Sequence, residues 1–142
     1  MRLLTPNRFL TKISENAIGQ AGEYIAAAAL VALGVQTMWS PVAGCDLLCY
    51  DGAFYRVEVK TAGARDRSRP TMFRWATSRG SKNKWRVTTE YCDVIALVAL
   101  PVRRVVFRNT KAITGKNTSL SAKHFVEGCE AETWSEAKQW KP

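Results

Sequence analysis

The sequence predicts an α/β fold, with a mixed central sheet of about five strands flanked by helices in at most three layers. Three observations carry that reading. A helix-length run from Ser14 to Leu33 is closed by Gly34. Two short apolar strands on either side of Asp51-Gly52 read as a hairpin. Asp93 to Leu100 is a continuous apolar run, as in a strand buried on both faces. At 142 residues the chain is expected to form one domain with a sizeable core, and its 46% hydrophobic content is ordinary for a globular protein.

Residues 1–12 are short and basic and read as an irregular arm. Ser14 is the expected N-cap, with Glu15 placed favourably for the helix dipole. Tyr24 to Leu33 is apolar on every face, which predicts an enclosed helix. Glu23 opens that stretch and therefore needs a partner. Val35 to Trp39 reads as a first short strand, and Ser40 to Gly44 as the loop into the hairpin. Beyond it, Thr71 to Thr77 and Val102 to Phe107 read as strands. Residues 109–119 are polar and turn-rich, and Ser121 to Lys141 holds one or two helices anchored by Phe125, Trp134 and Trp140. The segment 120–142 is thus a C-terminal helical segment of the same domain.

The hairpin, Gly44 to Lys60, places three ionisable residues where strands should be buried: Asp46, Glu58 and Lys60. Charges there are costly unless paired or bound to a metal. Glu58 and Lys60 share a face because strands alternate with period two. A two-residue Asp51-Gly52 loop would pair Asp46 with Val57 and separate the acids. A three-residue loop, Asp51-Gly52-Ala53, sets Asp46 across from Glu58, so such a loop, or a bulge of equal effect, is predicted. Two facing carboxylates repel, and a divalent cation resolves the conflict. Mg²⁺ takes one or two carboxylates plus water and phosphate oxygens.

The net charge is +9, which favours a polyanionic partner, nucleic acid before membrane. Between Arg65 and Arg86 lie eight Lys or Arg and one acid, with Phe73, Trp75 and Trp85 among them. Arg65, Arg67 and Arg69 fall in an expected mobile loop ending at Pro70. Arg74 falls on a strand, and Arg79, Lys82, Lys84 and Arg86 in or beside a second loop. All eight are candidates for phosphate contact, which positions a duplex without specifying its sequence. At least one tryptophan is expected to pack in the core. The four cysteines lack zinc-site spacing. Cys45 and Cys49 are expected on one face of one strand, as buried thiols in a reducing cytosol. The single histidine, His124, reads as a surface residue. Asp93 reads as structural rather than catalytic. Met1 to Leu10 carries no secretory pattern, so a cytoplasmic protein is expected.

Asp46 followed by Glu58-Val59-Lys60 resembles the D…(D/E)-x-K signature of the PD-(D/E)XK, or restriction-endonuclease-like, nucleases. Gly22-Glu23 matches the additional helical acid found in many members, including archaeal Holliday-junction resolvases and intron-encoded homing endonucleases. Phe73-Arg74-Trp75 and Tyr91 to Ile95 also resemble the small intron-type enzymes. The resemblance covers roughly residues 15–108, and it departs where Gly44-Cys45, not proline, precedes Asp46. It implies a restriction-endonuclease-like core and a Mg²⁺-dependent DNA endonuclease, with Mn²⁺ able to substitute. Glu23, Asp46, Glu58 and Lys60 would be catalytic. Asp46, Glu58 and the Val59 carbonyl would ligate the metal, and Lys60 would orient or deprotonate the attacking water. The implied substrate is double-stranded DNA, plain or branched. The implied assembly is a homodimer or larger homo-oligomer of a prokaryotic or phage-encoded protein, without a membrane partner. The homing type is favoured over the junction-resolving type. A non-cleaving DNA-binding module and an RNA-processing or RNA-binding protein that stacks bases on Trp75 and Trp85 are the competing readings.

Overall fold

The computed structural model describes residues 14–79, 85–86 and 90–139, the side chains of residues 79, 85 and 86 excepted. The N-terminal arm, Lys82, Lys84 and Trp140 lie outside the described residues.

Helix α1 spans Glu15–Ala32. Ser14 caps it, its side chain accepting the Ala17 N–H at 3.2 Å, and Gly34 (φ 82°) turns the chain out of it. Strands β1 (Gln36–Trp39), β2 (Leu47–Tyr50) and β3 (Phe54–Ala62) form an antiparallel meander. β4 (Met72–Ala76), β5 (Ser78–Arg79) and β6 (Trp85–Arg86) follow, then β7 (Val94–Ala99) and β8 (Arg104–Asn109). β9 (Asn117–Ser121) and helix α2 (Cys129–Gln139) complete the described chain. The main sheet has five strands in the order β1-β2-β3-β7-β8, with β3 and β7 parallel and the other pairs antiparallel. It is the mixed sheet expected.

β7 is buried at every residue, as its unbroken apolar sequence requires. One sheet face packs Val57, Val59, Val94, Ala96 and Val98 against Ala26 and Leu30 of α1 and Trp134 and Ala137 of α2. The other packs Ile95, Leu97 and Ala99 against Phe73 and Trp75 of β4 and against Phe125. β4 belongs not to the main sheet but to a two-stranded one with β9. Residues 117–119 are expected as turn and 120–121 as the start of the C-terminal helical segment, but 117–121 form a strand. They have a single large apolar side chain, Leu120, and become a strand only because β4 offers a partner.

Two further expectations are corrected, on helix α1 and on the cysteines. Helix α1 is not enclosed: Gly22, Ala26 and Leu30 are buried, whereas Tyr24 and Val31 are 58% and 60% exposed. Alanine favours helix for backbone reasons, so an alanine-rich run need not be wrapped in protein. The segment from Arg65 to Pro70 holds no helix or strand, as a loop should, and hydrogen bonds tie it internally. Asp66 Oδ1 accepts from Ser68 N and Oγ at 3.0 and 2.9 Å, and Asp66 N donates to Met72 O at 2.9 Å. Finally, Cys45 and Cys49 lie on opposite faces of the sheet, for a reason that lies in the site.

Candidate active site

The hairpin joining β2 to β3 pairs Tyr50 with Phe54, which leaves the three-residue loop Asp51-Gly52-Ala53. Gly52 takes φ 75°, a conformation that glycine adopts freely. The register continues through Leu47 opposite Val57. There it breaks, because the Asp46 N–H also donates to Val57 O, at 2.9 Å. Two residues then face one, which is a bulge. The bulge moves Cys45 to the opposite side from Cys49. It also turns the Asp46 carboxylate toward β3, where Oδ2 accepts the Val59 N–H at 2.7 Å. A side chain thus takes the place of the strand that β3 lacks beyond this point.

Glu58 and Lys60 lie on the sheet face toward β4. Their side chains form an ion pair at 3.0 Å and are 15% and 22% exposed. Lys60 Nζ also donates to Ser78 O at 3.4 Å, so β5 starts against the site. Helix α1 supplies Glu23 by passing unusually close to β3. A Cβ on Gly22 would lie 1.7 Å from Thr61 Oγ1, so only glycine fits there. A glycine inside a helix former's pattern is the sequence signal for such an approach. The Glu23 carboxyl is raised above its ordinary 4.5 by burial first, then by the Asp46 charge and a hydrogen bond to its carboxylate, and least by Glu58. Glu23, Asp46, Glu58 and Lys60 therefore converge where β2 and β3 part, and acids outnumber the ammonium group.

Among the described residues, no group of three or more His, Cys, Asp or Glu side chains forms a ready metal cage. The donors that do converge are carboxylate oxygens, the type that hard divalent cations prefer, and one or two suffice for Mg²⁺. Burial is the first cause that raises Glu23, and the charges of Asp46 and Glu58, which come after it, are what such a cation would relieve. On donor chemistry and charge the residues fit the ion.

Of the basic candidates, Arg65, Arg67, Arg69 and Arg74 are exposed. Arg65 lies over the Phe73 ring at 5.7 Å and donates to Pro70 O at 3.3 Å. Arg69 donates to Ser119 Oγ at 3.0 Å. Arg79 and Arg86 are described only as backbone of β5 and β6. Trp75 is 2% exposed, and its Nε1 donates to Val98 O at 2.9 Å, so it packs. Asp93 is structural: it clamps Arg56 through the backbone N–H and the guanidinium at 2.8, 3.1 and 3.0 Å. Burial raises its carboxyl, but those hydrogen bonds outweigh burial and hold it below the usual range. The clamp, missed in the sequence, locks β3 to the start of β7. His124 is exposed, and all four cysteines are buried and free.

The fold matches a solved structure described as that of a bacterial homing endonuclease, I-Ssp6803I, with a TM-score of 0.69 over 91% of this chain and 99% of the other. The two folds are alike. Sequence identity is 11%, and the likeness is one of fold. No family profile and no curated protein matches the sequence. Among the described residues no helix is long and apolar enough to cross a membrane.

Proposed function

We propose that the chain is a Mg²⁺-dependent DNA endonuclease of the PD-(D/E)XK type, most akin to the homing enzymes. One observation carries the reading: Glu23 of α1 shares a hydrogen bond with Asp46 ahead of β2 and feels the charge of Glu58 of β3, which in turn pairs with Lys60. That cluster costs stability, and it makes chemical sense as a centre for a phosphodiester. The solved structure with the same fold is of a homing endonuclease, which supports the class. The net charge of +9 supports a nucleic-acid substrate.

Asp46, Glu58 and the Val59 carbonyl would hold the ion, which when bound polarises a phosphate oxygen and acidifies its water. Lys60, steered by Glu58 and the Ser78 carbonyl, would orient the attacking water and offset charge building on the phosphate. Glu23 would hold a proton or charge beside Asp46. Cutting both strands of a duplex calls for two such centres, hence two copies of the chain. The enzyme would act in the cytoplasm of a prokaryote. The base-stacking reading loses one platform, because Trp75 is in the core.

A supercoiled-plasmid assay tests the reading. Wild type should nick in Mg²⁺ or Mn²⁺ and not in excess chelator, and Lys60→Ala should lower the rate by at least about 10²-fold, the scale of one lost proton-transfer or charge-stabilising group. Wild-type nicking in chelator, or unchanged cutting by Lys60→Ala, would reject it. Competition between linear duplex, four-way junction and single-stranded RNA then separates homing, junction-resolving and RNA-directed forms.

A further inference from the structure

The main sheet has two edges, and they are treated differently. Edge strand β8 carries Arg104 and Arg108 and is closed by α2: Thr133 Oγ1 accepts the Phe107 N–H at 3.0 Å, and Asn109 Nδ2 donates to Ala137 O at 2.9 Å. Charges and a covering helix are the usual defences against strand addition. Edge strand β1, Gln36-Thr37-Met38-Trp39, has no charge, proline or bulge. Ser40 N–H donates to Asp46 O at 2.9 Å, which fixes the alternation along β1. Met38 and Gln36 bond inward to Leu48 and Tyr50, and the backbone groups of Thr37 and Trp39 point outward.

The side chains around this edge are apolar and open on both faces. On the helix side Tyr24 and Trp39, 58% and 48% exposed, meet edge to face at 5.2 Å. On the opposite side Met38, Tyr50 and Phe54 are 57%, 45% and 70% exposed and line one shallow groove. Exposed apolar clusters of this kind mark interaction sites.

We propose that a second copy of this chain docks here, β1 antiparallel to its partner's β1, about a two-fold axis through Met38. The charge argues for self-association at this place. Two chains of +9 repel unless they meet through a surface without Lys or Arg, and none of the five side chains is charged. A polyanion would dock elsewhere. Tyr24, Met38 and Trp39 flank the pairing edge and are covered with the strand backbone, whereas Tyr50 and Phe54 stand one and two strands in, so the seam is smaller than the ~800 Å² per partner of a standard interface. An isologous pairing satisfies Thr37 and Trp39 reciprocally. It also keeps Glu58 and Lys60 of both copies on the same side of one continuous sheet. The interface extends the nuclease reading, which asks for two centres, but its evidence and its test do not pass through DNA.

In this register Met38 faces its own copy as a non-hydrogen-bonded pair, with Cα atoms ~4.5 Å apart, within disulfide range. The native thiols are all buried, so an introduced surface cysteine reports alone. Met38→Cys in mild oxidant, without DNA, should convert most of the chain to a disulfide dimer, and Val126→Cys, at a site 56% exposed elsewhere, should not. Sedimentation should give wild type about twice the 15.8 kDa chain mass, falling to one chain in a folded Met38→Lys. Met38→Cys cross-linking no better than Val126→Cys, a monomeric wild type, or a folded Met38→Lys that stays dimeric would each overturn the proposal. A monomeric wild type would leave the edge to a partner of different chemistry. Should Met38→Lys fail to fold, the cross-linking comparison decides.

Discussion

Glu23 is the residue at which stability and the proposed chemistry oppose one another. Its carboxyl is raised by burial and by two neighbouring acids, so the folded chain binds that proton more tightly than the unfolded chain does. The sign follows from linkage: this contribution to stability is complete below the ordinary pKa of 4.5 and is lost as pH rises through the folded value. Glu23→Gln should therefore melt higher than wild type at pH 7 by a few degrees and show a flatter melting profile between pH 4.5 and 7. A wild type whose melting point is insensitive to this substitution at pH 7 would contradict the crowding. Its neighbour Gly22 sets a steric condition instead. Gly22→Ala places a methyl 1.7 Å from Thr61 Oγ1, and the helix must move off the strand. We expect a loss of about 1–3 kcal/mol in urea unfolding, with cleavage reduced further because Glu23 moves with the backbone. The buried cysteines offer no such leverage. Burial pushes the Cys49 and Cys92 thiols up to about 11 and Cys129 to about 12, so the native protein should resist thiol reagents at neutral pH.

At the scale of elements, the β2–β3 loop carries the dock for α2. Asp51 Oδ2 accepts the Trp134 Nε1 hydrogen at 2.9 Å and pairs with Lys138. Hydrogen bonds from Lys138 first, then Trp134, hold its carboxyl below the ordinary 3.8, so this latch weakens as pH falls through that lowered value. Asp51→Ala should cost about 1 kcal/mol in urea unfolding, after allowance for partial exposure, with Trp134 fluorescence shifting toward that of solvated indole. The hairpin was legible in part: the three-residue loop is present as charge required, but the bulge at Asp46 steps the register back, so Asp46 meets β3 at Val57 and Val59 rather than directly across from Glu58. β7 was legible because nothing interrupts its apolar run. β9 was not, because Asn117 to Ser121 offers one large apolar residue and depends on Phe73 and Trp75 across the chain for its burial. The exposure of α1 was also hidden, since Tyr24 and Val31 read as core unless the position of β1 is known. Of the four candidate site residues all converge, but the hydrogen bond from Val59 to Asp46 and the Arg56–Asp93 clamp depend on tertiary geometry that spacing does not encode.

At the scale of the molecule, the β1 edge stands apart from the exposed arginines around β4. Arg67 and Arg74 are exposed on the side of β4 and its preceding turn, whereas the β1 edge carries no charge. If the basic side contacts a duplex, log affinity should fall linearly with log salt, and Arg67→Gln and Arg74→Gln should each reduce the slope by about 0.9. A slope unaltered by both substitutions would place the phosphates elsewhere on the surface.

The bulge at Asp46 has one more consequence, for how this protein tolerates changes in length. Between Asp46 and Glu58 the reading frame of the strands is locked, since removing or adding one residue within β2 would rotate the first acid away and carry the buried Leu47 and Cys49 out of the core with it. Such a variant should lose stability and the proposed chemistry together. After Gly63 no comparable phase is at stake, so the turn from Arg65 to Pro70 should accept an extra residue with little loss. Natural insertions and deletions would therefore be expected to gather on one side of that boundary and to avoid the other.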